Sequence, residues 1–227
     1  MPGHCVIAVD GPSASGKSTL AKDLADRLGF IFVDTGAMYR AVTLYFLRNH
    51  TKFELPEAVV YALNHIDIEF KVIDRKNTCF LNGENVESSI RSTEVSENVS
   101  EISAISLVRE AMVAQQRKMA EKSNLVMDGR DIGTVVFPQA NIKFFITASL
   151  SVRAMRRYHD AVKIDPDITL QEVEDNLKMR DYTDTNRENS PLRKAADAIE
   201  IDNSSIGRED QLDLVLGMVR DKLSLEL

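Results

Sequence analysis

Residues 11–18 read GPSASGKS, a full match to the pattern G-x-x-x-x-G-K-[ST]. The stretch follows the short apolar run Val6–Asp10 and opens a segment with leucines at positions 20, 24 and 28. That is the context the pattern's chemistry needs: strand, glycine loop, helix. Glycines let the backbone wrap closely around phosphate oxygens. Successive backbone N–H groups form a concave anion site, and the helix N-terminus adds partial positive charge. Gly11, Ser13, Ala14, Ser15, Gly16, Lys17, Ser18 and Thr19 form the expected phosphate-binding set. Lys17 is expected to reach the β- and γ-phosphates of a nucleoside triphosphate. The Ser18 hydroxyl is expected to ligate Mg²⁺, a hard cation that prefers oxygen.

A second acid fits the same chemistry. Leu125-Val126-Met127 is an apolar run closed by Asp128 and Gly129. An apolar strand ending in aspartate beside such a loop supports the magnesium ion. No N-K-x-D occurs, so the base-reading motif of guanine-specific switch proteins is missing. Phosphoryl transfer asks for positioning and positive charge more than covalent chemistry. Arginine supplies that charge with a planar fork matched to phosphate. Arg153, Arg156, Arg157, Arg180 and Arg187 lie with Lys163 and Lys178 between Ser151 and Arg187, interrupted by Pro166. Arginine on a helix is often only a solvated face. Here the phosphate loop creates a demand for it, and a mobile arginine-bearing lid would also exclude water.

These residues need a scaffold, and the patterning supplies one. The run Phe30–Asp34 reads as a second buried strand after a helix capped by Gly29. A helix is expected from about Met38 to Arg48. Ile66, Ile68, Phe70 and Val72 then alternate with Asp67, Glu69 and Lys71, the period of a half-exposed strand. Polar residues Asp74 to Asn77 predict a turn, and Asn82-Gly83 predicts a tight hairpin. Residues from about 55 to 96 therefore read as an insertion with its own small antiparallel sheet. Helix resumes through Leu107, Val108, Met112 and Val113 to Ala120. Further strands are expected at Leu125–Asp128, Ile142–Ile146 and Ala198–Ile201. A basic helix is expected at Leu150–Ala161, a helix capped by Thr169 and Glu172 running to about Met179, and a closing helix at Glu209–Leu223.

Composition bounds the rest. The chain has 227 residues, 44% of them hydrophobic, and a formal net charge of -7. It is long enough for one α/β domain with modest insertions. The acidic balance argues against a nucleic-acid polymer as partner. No apolar run reaches the ~18 residues of a membrane span. The two cysteines, Cys5 and Cys79, form no CxxC, so a reducing cytoplasm is the simplest location. The four histidines, His4, His50, His65 and His159, are scattered and form no catalytic or metal set.

Several longer strings coincide with the phosphate loop. They are DTGAMYR (34–40), NVSEISAISLVRE (98–110), MDGRDIGTVVFP (127–138), SVRAMRRY (151–158) and RDYTDTNR (180–187). With GPSASGKST they closely resemble the bacterial cytidylate kinases, over nearly the whole chain and in the same order. The resemblance implies an α/β P-loop kinase: a parallel sheet core flanked by helices, a small antiparallel-sheet monophosphate-binding insertion and a helical lid. The core would be about 1–54, 97–150 and 188–227, the insertion 55–96 and the lid 151–187. It implies ATP and CMP or dCMP as small-molecule substrates, Mg²⁺ with the ATP, and a monomer.

Residue by residue, the resemblance implies that Arg40 and Arg130 grip the acceptor's α-phosphate, with Thr35 beside them where many relatives carry serine. Ser100, Arg109 and Asp131 would read cytosine. Arg180 and Asp184, with Arg187 nearby, would hold the pentose hydroxyls and, as the lid closes, phosphate. Arg153 and Arg157 would approach ATP, and the loop Asp202-Asn203-Ser204 would pass the adenine. Lys17, Arg130, Arg157 and Arg187 are the expected catalytic residues, and Ser18 and Asp128 the metal-supporting pair. The base chemistry agrees: carboxylate and hydroxyl can accept from cytosine's amine while arginine donates to N3 and O2. Asp131 could instead form a structural ion pair with Arg130 or Arg109. Two other readings stay open: a kinase for another small acceptor such as UMP, AMP or shikimate, and a P-loop binding module without catalysis.

Overall fold

The computed structural model describes residues 4–73, 76–163 and 165–223. In chain order the elements are β1 (Val6–Asp10), α1 (Lys17–Leu28), β2 (Ile31–Asp34), α2 (Thr35–Arg48), α3 (Pro56–Leu63), β3 (Ile68–Ile73), β4 (Lys76–Leu81), β5 (Glu84–Asn85), α4 (Thr93–Ile102), α5 (Ser106–Ala120), β6 (Leu125–Gly129), β7 (Ile142–Thr147), α6 (Leu150–Ala161), α7 (Leu170–Asn186), β8 (Ile199–Asp202) and α8 (Arg208–Leu223). Packing divides the chain into two compact units: Met1–Phe32 with Ala120–Leu227, and Val33–Met119. The second takes in the 55–96 segment together with α2, α4 and most of α5.

The main sheet has strand order β2-β6-β1-β7-β8. β1 pairs in parallel with β6 on one side and β7 on the other, and β7 pairs in parallel with β8. Because β1 is buried on both faces, every one of its residues is interior. Ile7, Val9, Val126, Phe144 and Ile146 meet Leu20 and Leu24 of α1 and Val215 and Val219 of α8 in one core. The register sets Val9 opposite Asp128 and Asp10 opposite Gly129. The carboxyl ends of β1 and β6 therefore finish side by side, where ligands bind in open parallel sheets.

Sequence expectation and structure differ at several places. β2 was expected to be buried, but it is the edge strand and Ile31 is 47% exposed. α2 begins at Thr35 because Asp34 caps it, its carboxylate accepting from the Ala37 N–H at 2.8 Å. Such a cap contributes about 1 kcal/mol. α7 has the expected capping box at Thr169 and Glu172 but runs on past Met179 to Asn186. The sheet of the second unit is antiparallel, in order β3-β4-β5. Asn82 and Gly83 both take positive φ, 50° and 80°, as the tight β4–β5 turn demands. Of the turn expected over Asp74 to Asn77, the first two residues lie outside the described set.

Candidate active site

The phosphate loop is shaped by its glycines and by what grips it from outside. A Cβ on Gly11 would lie 2.1 Å from the Ile146 carbonyl oxygen, so only glycine lets the chain leave β1 beside β7. Ala14 and Gly16 take left-handed φ of 60° and 84°. Alternation of this kind turns successive N–H groups to one side, which makes a concavity for anions. Lys17 is 7% exposed, and its ammonium donates to the Pro12 carbonyl at 3.3 Å. Ser18 Oγ lies 2.5 Å from Asp128 Oδ2. Thr19 is exposed on the first turn of α1. Among the described residues no group of three or more His, Cys, Asp or Glu side chains could cage a metal. A hydroxyl and one carboxylate, side by side and all oxygen, fit Mg²⁺, which is commonly held by one or two carboxylates plus the phosphates of a substrate.

Asp10 was not singled out by the sequence. It is buried, and its two oxygens accept from the Ile132 and Gly133 N–H groups at 2.8 and 2.7 Å. These belong to a π-helical turn, Ile132–Val136, directly after Asp131. Turns of that type often sit at functional sites. Burial pushes the Asp10 carboxyl up to about 7, against the two N–H donors and Lys17, which favour the charged form. An unfolded aspartate titrates near ~3.9. The folded chain therefore holds a proton that the unfolded chain has lost between those values, and this group's contribution to stability falls as pH rises. The urea midpoint is expected to drop between pH 5 and pH 8, and Asp10→Asn is expected to flatten that slope. An unchanged slope in a folded variant would show that Asp10 does not titrate there.

Beside the loop, α6 and α7 bring arginines and acids together. Arg130 donates from Nε to Asp184 Oδ2 at 2.7 Å. Arg187 lies 3.9 Å from Asp131 and 3.8 Å from Asp184 and donates from Nε to the Ser190 carbonyl. Burial would raise Asp184, but Arg130, Arg187 and Arg180 outweigh it and hold its carboxyl below the usual range. Arg180 and Asp184 lie one turn apart on α7, and Arg187 is the extended residue that caps its C-terminus. Arg187 is thus an ion-pair neighbour of Asp131 beyond the two arginines, Arg130 and Arg109, that the sequence suggested.

The three arginines of α6 divide their work in a way that spacing alone does not reveal. Arg153 is buried, donating to the carbonyls of Ala148 and Ser13 and pairing with Asp181 at 2.7 Å. Arg156 donates to the carbonyls of Ser15 and Asn203 and to Asn203 Oδ1. Arg157 is exposed. Of the loop expected to pass adenine, Asn203 is 2% exposed with its side chain turned onto Ser15, while Asp202 accepts from Ser204.

The second unit holds the remaining expected residues. Thr35 is buried at the start of α2, and Arg40 pairs with Asp34 at 3.2 Å, so one carboxylate both caps the helix and orients the arginine. Arg91 stands 3.9 Å from the same carboxylate, a neighbour the sequence did not suggest. Arg109 is 4% exposed, donates to the Ser103 carbonyl at 3.2 Å and lies over the Tyr39 ring at 5.2 Å. The Ser103 hydroxyl in turn donates to the Ser100 carbonyl, so Ser100 and Arg109 are tied to the same helix end.

Comparison with known proteins matches this arrangement to a family. The cytidylate kinase family model matches residues 7–221. A cytidylate kinase of Cytophaga hutchinsonii is 50% identical over 220 residues, covering 96% of this chain and 94% of its own. One of Flavobacterium psychrophilum is 49% identical, with 95% and 97% covered, and one of Lactobacillus gasseri is 43% identical, with 95% and 94% covered. Among solved structures, a shikimate kinase of Bacteroides thetaiotaomicron has the same fold, with a TM-score of 0.50 at 14% identity, covering 97% and 99% of the two chains. No helix among the described residues is long and apolar enough to cross a membrane. From the phosphate loop to the closing helix, the chain belongs to the cytidylate kinase family.

Proposed function

We infer that this chain transfers the γ-phosphoryl group of ATP to CMP and dCMP, giving ADP with CDP or dCDP. The observation that carries the reading is the phosphate loop set beside Arg130 and Asp131 at the carboxyl ends of β1 and β6, in a chain of this family. An oxygen of the acceptor's phosphate attacks the γ-phosphorus, and the bond from that phosphorus to the β-bridging oxygen breaks. The attacking oxygen is already ionised, so no strong base is required. Lys17 and the loop amides stabilise charge on the moving group, as fixed donors in a dry site do. Ser18 and Asp128 would hold Mg²⁺, which when bound neutralises phosphate charge. We assign Arg40, Thr35 and Arg130 to the acceptor phosphate, and Ser100, Arg109 and Asp131 to cytosine. Arg180 and Asp184 take the pentose, and Arg157 and Arg187 the transferring group. We further assign 55–96 to monophosphate binding and 151–187 to a lid, in a cytoplasmic monomer.

The test is ADP release, coupled to a reporter, with Mg-ATP and CMP, dCMP, UMP, AMP or shikimate in turn. Turnover with CMP and dCMP well above the others is expected. Turnover led by another acceptor would remove the base assignment but keep the kinase, and silence across the set would sink both. Within that assay, Asp131→Asn isolates base reading. Uracil presents a carbonyl where cytosine has its amine, and a mismatched buried polar pair costs ~1–3 kcal/mol, or ~10- to 100-fold in selectivity. The variant is expected to lose that factor for CMP relative to UMP. Equal losses would mean Asp131 serves its ion pair with Arg187 instead.

A further inference from the structure

We propose that Asn203 is a positioning residue: with Arg156, it grips the Ser15 carbonyl from outside the phosphate loop and thereby aims the Gly16 N–H at the phosphates. The proposal rests on the phosphate-binding reading of the loop and adds a residue to it. Asn203 is held in place by its own N–H, which donates to the Thr147 carbonyl at 2.9 Å at the end of β7. Its side chain is buried and makes three contacts. Nδ2 donates to the Ser15 carbonyl at 2.8 Å and to Gln211 Oε1 at 3.2 Å. Oδ1 accepts from Arg156 Nη1 at 3.0 Å. A guanidinium is donor-only, which fixes the amide's orientation: oxygen toward Arg156, nitrogen toward Ser15. Arg156 closes the ring, donating from Nη1 to the same Ser15 carbonyl at 3.4 Å and from Nη2 to the Asn203 carbonyl at 3.1 Å.

The consequence follows from peptide geometry. In a planar trans peptide the C=O and N–H point in opposite directions. Fixing the Ser15 carbonyl toward Asn203 and Arg156 therefore turns the Gly16 N–H to the opposite side. Arg153 does the same one step earlier, donating to the Ser13 carbonyl at 3.2 Å and so turning the Ala14 N–H. A Cβ placed on Gly16 would stand 3.3 Å from Asn203 Nδ2 and 3.6 Å from Arg156 Nη1, so the pair packs directly on the loop's outer surface. Donors fixed before the reaction need no reorganisation when charge moves, which is where such stabilisation gains its size. The inference also joins α6 to the loop, since Arg156 sits on that helix.

The experiment compares Asn203→Ala, Asn203→Ser and Arg156→Met with the unaltered enzyme. Readouts are kcat, KM for ATP and for CMP, melting temperature, and the inhibition constant of inorganic tripolyphosphate, a probe with phosphates but no base. The expected result is a ~10-fold fall in kcat. ATP and tripolyphosphate should weaken by the same factor, and KM for CMP should stay within about 2-fold. The double variant Asn203→Ala with Arg156→Met should lose less than the sum of the singles, because both act on one carbonyl. Weakening for ATP with tripolyphosphate unaffected would assign Asn203 to the adenine and overturn the proposal. A lowered melting temperature with unchanged kcat and affinities would make the contact purely structural and overturn it too. Asn203→Ser, which keeps a small hydrogen-bonding side chain, carries the test if the alanine variant does not fold. Failure of tripolyphosphate to compete with ATP on the unaltered enzyme would instead remove the phosphate reading itself, and this proposal with it.

Discussion

Replacing Lys17 with alanine is expected to lower turnover by ~10³-fold while the chain still folds. Removing one preorganised donor from a charge-stabilising site typically costs ~10²- to 10³-fold, and a full positive charge lies at the upper end. Lys17 is placed for that role by the loop itself. It is the first residue of α1, nearly buried, with its ammonium brought back to the Pro12 carbonyl at 3.3 Å. That contact folds the side chain back onto the loop, and in the proposed role phosphate oxygens would replace the carbonyl. Alanine is also the best helix former, so the first turn of α1 is not weakened. One secondary effect follows. Lys17 favours the charged form of Asp10, so its loss should move the Asp10 titration further upward. The measurement is steady-state ADP release beside a thermal melt followed by circular dichroism. A folded variant that turns over at the normal rate would refute the assignment of Lys17 to the transferring phosphoryl.

How much of this was legible in the sequence depends on where local signals carried the structure. The strand, loop and helix from Val6 to Leu28 were readable because each part has its own signature: a buried run, a glycine pattern and leucines on one face. The capping box at Thr169 and the Asn82-Gly83 turn were readable for the same reason, since each is a local hydrogen-bond device. Two helices of the second unit were missed. α4 is mostly polar, with only Val95 and Ile102 buried, so its apolar stripe is too thin to show a period. α3 lacks a side-chain cap and reads as a mixed apolar run. The edge position of β2 is a fact of topology that its own residues do not encode. In the site, residue types were legible and partners were not. Nothing in the spacing of Arg153, Arg156 and Arg157 says that the first is buried against Asp181, the second braced on Asn203 and the third exposed. Asp10 was hidden because an aspartate closing a strand looks like an ordinary turn residue. Only the fold brings the Ile132–Val136 turn over its carboxylate.

The second large effect is expected at Arg130, and the chain's own geometry shapes the test. Arg130 presents its Nε to Asp184 at 2.7 Å, and its terminal nitrogens make no hydrogen bond to a described residue. One edge of the guanidinium is thus held while the other is available to take two phosphate oxygens at once. Lysine cannot do both, because its single ammonium must either pair with Asp184 or reach the phosphate. Arg130→Lys is therefore expected to cost ~10²-fold or more in kcat/KM for CMP, with KM for ATP nearly unchanged. Arg130→Ala should cost at least as much and also destabilise the fold, since Asp184 would keep a partly buried charge short of one of its three arginines. The lysine variant separates the two effects by keeping the charge. Asp184→Asn provides the cross-check. If Asp184 serves to orient Arg130, the Asn substitution should lower kcat/KM for CMP in the normal background and do little once Arg130 is lysine, a coupling a double-mutant cycle measures directly. Equal losses in both backgrounds would assign Asp184 to the pentose without Arg130. A lysine variant with normal CMP kinetics would remove Arg130 from the phosphate clamp.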